Sequence, residues 1–432
     1  MAKVQSIDLP SALKDLFPDR LIKELARESG FIVRERKVKA VPFFWNLVLG
    51  FGKAATRTIS NLRRSYESAS GETLVPSAFY DRFDDELVSM LRSATGHALD
   101  SFQLAGAEAM EVAKAFKDVI VGDASVIKLF DDLKTVFPGC RTNSAPAAAK
   151  IHAFLSVKGA GKSTVAITPE RVHDKKKLLI GPWVRDKLLL FDLGYYRYQL
   201  FSCIARNGGF FISRLKENAN PTLTALIRKV RGNSIEVEGR RLQDILANLK
   251  REVLDVEAEV LFPRRTYGGH CSRARERYRL VAIRDEKTGK YHTYITNIPP
   301  NLFSAEAIAS GYRARWLIEL VFKELKSGYR IDQVPSGRRQ VAEAFLYAGI
   351  LTLLASRKLF RLLAAEAEGH RFRVGRWWSI FAANAYTLLH VVLHPRQGAS
   401  LLNNFLKTLR HELVDPHRRR APLLIEALGE CR

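Results

Sequence analysis

The pattern of apolar and polar positions divides the chain into helical ends and a strand-rich middle. The first hundred or so residues place apolar side chains at helical spacing, as in SALKDLFPDRLIKELARESG, where Ser11 is placed as an N-cap and Gly30 as a terminator. From Lys117 onward, runs rich in β-branched residues predict strands, and the helical run between them predicts an α/β sheet. Residues 218–298 alternate with period two, which predicts a mostly β segment, and the remainder is again helical.

Individual elements can be predicted within the middle region. DVIVGDASVIKLF, DKLLLFDLGYY and GFFISRL each predict a strand, and Tyr195 to Asn207 predicts a helix. KIHAFLSVKGAGKSTVAIT predicts two strands joined by a glycine-bearing turn. Its GKS triplet is similar to the end of a phosphate-binding loop, but that motif needs glycine where Ser156 stands and a helix where STVAIT indicates a strand. We therefore predict a β-hairpin with Lys158 and Lys162 at its tip, in solvent or near DNA, and no ATP site.

Charge narrows the class of partner. The 432 residues hold 69 Lys and Arg against 45 Asp and Glu, a formal net charge of +24. So large a surplus indicates a nucleic acid, because each neutralised phosphate releases condensed counterions, although a ribosome-associated or membrane-surface protein is an alternative. The apolar runs are too short or too interrupted to span a bilayer, and the first residues predict no secretory signal. Four scattered cysteines predict neither a disulfide framework nor a zinc site, so a reducing cytoplasmic compartment is expected.

One predicted helix, GYRARWLIELVFKELKSG, carries a stripe of polar side chains. At 100° per residue, Tyr312, Arg315, Glu319 and Lys326 fall within an arc of roughly 60°. Such a stripe is often only a solvated face, and Arg315 with Glu319 is an ordinary i,i+4 pair. The opposite side is apolar and is expected to pack: Leu317, Ile318, Val321 and Leu325.

Two aspartates upstream add a second set of candidates. Asp123 lies inside one predicted strand and Asp192 ends another, and a carboxylate in such an apolar run is costly unless it has a partner. Neighbouring strands can bring the two together, and with Glu319 they form a set of hard oxygen ligands suited to Mg²⁺ or Mn²⁺. Two such ions could activate a water or a 3′-hydroxyl and stabilise the leaving oxygen of a phosphodiester. Three nearby acids, in contexts that predict helix or turn, compete for the place of the first ligand: Asp118, Asp131 and Asp132.

The spacing Tyr312-x2-Arg315-x3-Glu319-x6-Lys326 resembles the Y-R-E-K signature of bacterial insertion-sequence transposases of the fourth insertion-sequence family. These are DDE transposases with a ribonuclease-H-like catalytic core. Supporting matches occur in order along the chain: GDAS, KIHAFLSV, HDKKKL, FDLGYY, FFISRLKENANP and TNIPP. The resemblance covers about residues 115–327 well and is mainly one of helical character at both ends.

The resemblance implies roles for the candidate residues. The implied catalytic and metal-binding triad is Asp123, Asp192 and Glu319. The residues implied to hold phosphates of transposon-end DNA are Tyr312, Arg315 and Lys326. The implied activity is hydrolysis at transposon ends with Mg²⁺ or Mn²⁺, followed by 3′-hydroxyl strand transfer into target DNA. A domesticated relic that only binds DNA, and a stand-alone ribonuclease-H-like nuclease, are the alternatives.

The resemblance also implies partners and an architecture. The partners are double-stranded DNA, as terminal inverted repeats and as target, and a second copy of the chain in a synaptic complex at the bacterial nucleoid. The expected fold is α/β, with a ribonuclease-H-like core, a β-rich insertion and helical N- and C-terminal regions. The predicted segments are a helical DNA-binding region at 1–110, the first part of the core at 111–217, the insertion at 218–298, the core helix at 299–335 and a helical region at 336–432. Within the first, RERKVK and the residues around Arg63 fit either a solvated face or a DNA-contacting module.

Overall fold

The computed structural model describes nine stretches of the chain: 8–50, 58–104, 111–141, 144–173, 178–229, 234–267, 270–334, 336–366 and 374–412. Within these stretches no helix is both long enough and apolar enough to cross a membrane.

Helices occupy both ends of the described chain and strands its middle, in the order predicted. The α-helices are α1 (Leu9–Leu16), α2 (Asp19–Glu28), α3 (Ala40–Gly50), α4 (Ile59–Ser70), α5 (Pro76–Tyr80), α6 (Asp85–Asp100), α7 (Glu111–Ala115), α8 (Tyr198–Arg206), α9 (Leu242–Asn248), α10 (Ala305–Tyr312), α11 (Trp316–Lys323), α12 (Arg339–Glu366), α13 (Val374–Ala383), α14 (Ala385–Leu393) and α15 (Ala399–Glu412). The strands are β1 (Asp118–Lys128), β2 (Pro138–Arg141), β3 (Ala145–Ser156), β4 (Thr164–Pro169), β5 (Lys187–Phe191), β6 (Phe210–Arg214), β7 (Thr222–Leu226), β8 (Val253–Tyr267), β9 (His270–Arg284) and β10 (Tyr291–Thr296).

The described strands form one mixed sheet in the order β2-β3-β1-β5-β6-β10-β9-β8-β7, with β4 paired to β3. β1 is antiparallel to β3 and parallel to β5, and β5 is parallel to β6. Every residue of β5 is buried because the strand is central in the sheet and covered on both faces. The sheet confirms the predicted α/β class and is consistent with a ribonuclease-H-like core.

The segment after β6 extends the core sheet. β10 pairs antiparallel with β6, so that Tyr294 lies opposite Arg214, and β9, β8 and β7 follow outward. The prediction of a mostly β segment is confirmed, but SIEVEG is not a strand. Val237 is buried in the core, and Gly239, with a φ of +74°, lies in a turn and donates its backbone N–H to the carbonyl of Leu223 in β7 at 2.9 Å.

Alternate residues of the central strands face two hydrophobic cores. Val121 and Leu190 belong to a core shared with the helical ends of the chain, whereas Ile120 and Leu189 face the core formed with α8, β8 and β9. The two helical ends also pack on each other. The hydroxyl of Thr352 in α12 donates to the carbonyl of Val48 in α3 at 2.5 Å, and Arg92 in α6 donates to the hydroxyl of Tyr347 at 3.1 Å.

Candidate active site

Two parallel strands place two aspartates side by side. Gly122 of β1 is in register with Phe191 of β5, and Asp123 and Asp192 are the next residues of the two strands. Asp192 ends its strand and is the first residue before a 3₁₀ turn. Both carboxylates are half-buried, so the sheet brings these two predicted residues together in the way that the strand pattern indicated.

Three aromatic rings, called the aromatic floor below, pack against Gly122 on the face of the sheet opposite to the Asp123 side chain. A Cβ atom on Gly122 would lie 2.6 Å from Cδ1 of Phe154 and 3.1 Å from Cδ1 of Phe191, so only glycine fits between the two rings. The ring of Tyr195 packs against both, with centroid separations of 5.5 and 5.8 Å. The glycine of GDAS is therefore a packing requirement.

The helical segment at residues 305–328, called the site helix below, is not a uniform α-helix. α10 continues through a 3₁₀ turn at Arg313–Arg315 into α11 and then a π turn at Glu324–Gly328. The predicted packing face is confirmed, because all four of its residues are buried: Leu317, Ile318, Val321 and Leu325. The 3₁₀ and π turns depart from the 100° per residue on which the predicted arc of roughly 60° is based, and the arc stays a prediction.

A buried ion pair fixes the π turn. Nη2 of Arg357 in α12 lies 2.5 Å from Oε2 of Glu324, and Nε of the same arginine donates to that oxygen at 2.8 Å. The hydroxyl of Tyr329 donates to Ser356 at 2.5 Å, and the backbone N–H of Tyr329 donates to the carbonyl of Glu324 at 2.9 Å. The end of the site helix is thus attached to the helical body by buried polar contacts, which are specific because unpaired groups there would be costly.

Arg315 lies between two of the predicted acids. Its Nη2 forms an ion pair with Oε1 of Glu319, and its Nη1 is 3.8 Å from Oδ2 of Asp123. The guanidinium carbon is 5.7 Å from the ring centroid of Tyr312. Nε of Arg315 is buried and has no hydrogen-bond partner among the described residues. The i,i+4 pair predicted on the helix is therefore present, and Asp123 joins it from β1.

Burial and charge shift the pKa of two groups at this point. Burial raises the pKa of Asp123 to about 6, and the charges of Asp192 and Glu319 also raise it. The backbone N–H of Ala124, which donates to the carboxylate at 2.7 Å, and the guanidinium of Arg315 lower it. Burial opposes the charge of Arg315, but the neighbouring phenol and carboxylates outweigh it and raise the pKa of the guanidinium. The three carboxylates are thus close enough to influence one another.

Tyr312 and Lys326 have different surroundings from Arg315. Tyr312 is buried, burial raises its pKa to about 12, and its hydroxyl donates to the main-chain carbonyl of Phe191 at 3.1 Å. Lys326 is half-buried in the π turn, and no ion pair of its ammonium is found within the described ranges. The phosphate contacts predicted for both residues stay predictions, and the single proton of the Tyr312 hydroxyl is already donated to a carbonyl.

A basic pocket of about 640 Å³ adjoins the carboxylates. It lies between the site helix and the turn that joins β9 to β10. Its charged lining residues are Arg214, Arg284, Lys287, Arg313 and Arg315 on the cationic side and Asp285 and Glu286 on the anionic side. Arg214 donates to Nδ1 of His292 at 2.6 Å. Five cations against two carboxylates make the pocket suited to an anionic strand.

The carboxylates fit a divalent metal ion in their chemistry. Asp123, Asp192 and Glu319 offer only hard oxygen donors, and the side-chain carboxylate of Asp192 has no hydrogen bond or ion pair within the described part of the chain. Among the described residues, however, no three His, Cys, Asp or Glu side chains are gathered closely enough to hold an ion. Arg315 lies between Asp123 and Glu319 instead, so these two carboxylates can share an ion only when its guanidinium withdraws.

The glycine-rich stretch SVKGAGKST forms the turn of the β3–β4 hairpin, as predicted. Lys162 at its tip is exposed, but Lys158 is not free, because its ammonium donates to the carbonyl of Phe116 at 2.7 Å. The turn closes over Asp118, whose buried carboxylate accepts from the hydroxyl of Ser156 at 2.5 Å and from the backbone N–H of Lys158 at 2.9 Å. The prediction that Asp118 lies in helix or turn is wrong. It begins β1, and its three hydrogen-bond donors explain how a carboxylate can be fully buried there.

Comparisons with known proteins agree with this architecture. Residues 114–355 match a family model described as the transposase DDE domain. The transposase for insertion sequence element IS1151 of Clostridium perfringens is 23% identical over 376 residues, covering 81% of this chain and 79% of that protein. The transposase for insertion sequence element IS231F of Bacillus thuringiensis subsp. israelensis is 21% identical over 442 residues, covering 94% and 92%. A third relative, the transposase for element IS231C of Bacillus thuringiensis subsp. berliner, is 23% identical over 394 residues, covering 83% and 81%.

Proposed function

This chain belongs to the family of transposases with a DDE domain, and we propose that its catalytic carboxylates are Asp123, Asp192 and Glu319. The protein is a DNA transposase. The observation that supports the assignment is the meeting of the middle of β1, the end of β5 and the site helix. Asp123 and Asp192 follow registered residues of β1 and β5, and Glu319 is joined to Asp123 through Arg315.

A DDE transposase domain implies dependence on divalent metal ions, and the proposal names Mg²⁺ or Mn²⁺. Asp123, Asp192 and Glu319 would hold the ion. When bound, it would activate the attacking oxygen and stabilise the leaving oxygen of the phosphodiester. Asp123 has to be ionised for this role, and the guanidinium of Arg315 favours its charged form.

Arg315 and Lys326 hold backbone phosphates of the transposon end. Arg315 lines the basic pocket and also pairs with Asp123 and Glu319, so it connects a strand in the pocket with these carboxylates. A guanidinium can contact two oxygens of one phosphate, and an ammonium on a long side chain adapts to a second phosphate. Tyr312 contributes its ring beneath the Arg315 guanidinium and fixes the site helix to β5 through Phe191.

The reaction has two transfers. In the first, the oxygen of a water molecule forms a bond to phosphorus at the transposon end, and the 3′-oxygen leaves and takes up a proton. In the second, this 3′-hydroxyl loses its proton and attacks a target phosphodiester, whose own 3′-oxygen leaves. Because one phosphodiester replaces another in the second transfer, no ATP is required. Two copies of the chain would cut the two ends together, at the nucleoid in the cytoplasm.

The proposal is tested on the DNA that borders the gene. Short inverted repeats flanked by a duplicated target sequence are expected at the two borders, and a relic or a nuclease would not require them. The full chain is then incubated with a linear duplex that carries one border, with Mg²⁺ and separately with EDTA. We expect a break at the end of the repeat that leaves a 3′-hydroxyl, in Mg²⁺ alone. Cleavage at random positions would favour a nuclease, and binding without cleavage would favour a relic.

A further inference from the structure

The Arg315 guanidinium occupies the position of a cation between two of the proposed metal ligands. Its two terminal nitrogens point to different carboxylates, Nη2 to Glu319 and Nη1 to Asp123. The side chains of Arg315, Asp123 and Glu319 are 16%, 17% and 29% exposed. Water therefore screens these contacts less than it screens a surface ion pair. A guanidinium and a divalent ion placed here would compete for the same oxygens.

Arg315 can also bind a group in the basic pocket. Its Nε is buried and has no partner in the described structure, and the residue lines the basic pocket on its other side. A guanidinium carries five N–H donors on three nitrogens, and here the two terminal nitrogens face carboxylates. A phosphate in the pocket would offer oxygens both to Nε and to the terminal nitrogens, in the bidentate geometry that guanidinium groups favour.

We propose that Arg315 is an internal counter-ion of the catalytic site. Without DNA it pairs with Asp123 and Glu319 and weakens their affinity for a divalent metal ion. A DNA phosphate in the pocket draws the guanidinium away and frees the two carboxylates. This role rests on the proposed function, because it takes Asp123 and Glu319 as metal ligands.

The consequence is a coupling between DNA and metal. If DNA removes a competitor from the metal ligands, DNA strengthens metal binding, and by thermodynamic linkage metal strengthens DNA binding by the same factor. The coupling would also prevent hydrolysis by chains that are not bound to DNA. A free chain would hold little metal, and the hydrolytic site would assemble only on a bound DNA strand.

The first experiment measures the binding of Mn²⁺ to the full chain without DNA, by titration calorimetry or by the electron paramagnetic resonance signal of free Mn²⁺. We expect Arg315→Gln to bind Mn²⁺ about tenfold more tightly than the parent, a factor typical of coupled sites. The matched control is Arg338→Gln, which removes the same charge from an exposed arginine that directly precedes α12 and does not line the basic pocket. Because no ion pair joins Arg338 to either carboxylate within the described structure, its substitution is expected to leave the Mn²⁺ affinity nearly unchanged.

The second experiment adds a short duplex of the gene's border. The parent is expected to bind Mn²⁺ more tightly with the duplex than without it, whereas Arg315→Gln gains little because its carboxylates are already free. Arg315→Lys keeps the positive charge but has only one donor nitrogen. Its gain in Mn²⁺ affinity on adding the duplex is expected to lie between those of the parent and Arg315→Gln. The circular dichroism spectrum and melting temperature of each variant, compared with those of the parent, identify any variant that has failed to fold.

Two outcomes overturn the inference: equal or weaker Mn²⁺ binding by Arg315→Gln, or the same gain in Arg338→Gln. A third variant separates this from failure of the proposed function. Glu319→Gln is expected to abolish the DNA-stimulated Mn²⁺ binding. If Glu319→Gln binds Mn²⁺ as the parent does, the metal ligands are wrong. If Glu319→Gln loses binding while Arg315→Gln gains none, the ligands stand and the counter-ion role does not.

Discussion

The hydroxyl of Tyr312 donates a hydrogen bond to the main-chain carbonyl of Phe191 at 3.1 Å. This contact joins the site helix to β5 at the residue that directly precedes Asp192. A buried hydrogen bond therefore connects the part of the site on the helix with the part on the strand, beside the apolar packing of the two elements.

Tyr312→Phe removes this bond and keeps the ring beneath Arg315. We expect a loss of about 1 kcal/mol in the free energy of unfolding, since a buried carbonyl loses its donor. End cleavage should slow while the affinity for border DNA changes little. Urea unfolding and a DNA-binding titration check both. A large loss of DNA affinity with unchanged stability would instead assign the hydroxyl to a phosphate contact.

Asp123 gives the metal-free chain a pH-dependent stability. Its folded pKa of about 6 is above the ordinary value of 3.8, so between these pH values the folded state keeps a proton that the unfolded state has lost. The free energy of unfolding therefore falls as pH rises through this window, by at most roughly 3 kcal/mol from this group. In EDTA, Asp123→Asn should be more stable than the parent near about pH 8, with the difference closing toward about pH 4. Lower stability of the variant at the higher pH would show that Arg315 stabilises the charged carboxylate.

The Glu324–Arg357 pair is expected to stabilise the site helix. Glu324→Gln leaves a buried guanidinium without its charge partner, which costs about 3–5 kcal/mol in buried pairs of this kind. The matched control is Glu306→Gln, whose partner Arg228 is exposed, and there we expect a change within about 0.5 kcal/mol. Denaturant unfolding of both variants compares the two environments. Equal losses in the free energy of unfolding would mean that the buried pair stabilises the protein no more than the exposed pair.

Gly122→Ala tests the aromatic floor. The new methyl group would meet Phe154 at 2.6 Å, and we expect a loss of about 1–3 kcal/mol as the rings shift. Gly96→Ala is the matched control, because a Cβ atom at that position in α6 meets nothing within 4 Å. There the change should stabilise the helix by up to about 1 kcal/mol. Melting temperatures that move the same way in both variants would contradict the packing argument.

The sequence predicted the elements of the site better than their contacts. Asp123 and Asp192 could be found because a carboxylate is out of place in an apolar strand pattern, and the sheet does bring their strands together. The pairing of Arg315 with Glu319 follows from helical spacing, but the contact with Asp123 depends on how the helix docks on β1. That docking is a tertiary relationship, and no local pattern contains it.

Other features were outside the reach of local patterns for the same reason. The π turn at Glu324 accompanies a buried arginine that comes from α12, more than thirty residues later. The ammonium of Lys158 turns inward to a carbonyl, although glycines around it indicated an exposed tip. In each case a polar side chain is satisfied by a distant partner, so composition and periodicity alone indicated solvent or a regular helix.

The central claim is that Asp123, Asp192 and Glu319 catalyse cleavage of the transposon end. The most direct measurement is the rate of Mg²⁺-dependent cleavage of a border duplex by Asp123→Asn, Asp192→Asn and Glu319→Gln, each with its DNA affinity measured alongside. We expect each variant to bind the duplex and to cleave it on the order of a thousandfold more slowly than the parent. Asp131→Asn, which changes an exposed competing acid on a 3₁₀ turn, should cleave at the parental rate. Near-parental cleavage by any of the three, or loss of cleavage in Asp131→Asn alone, would contradict the assignment.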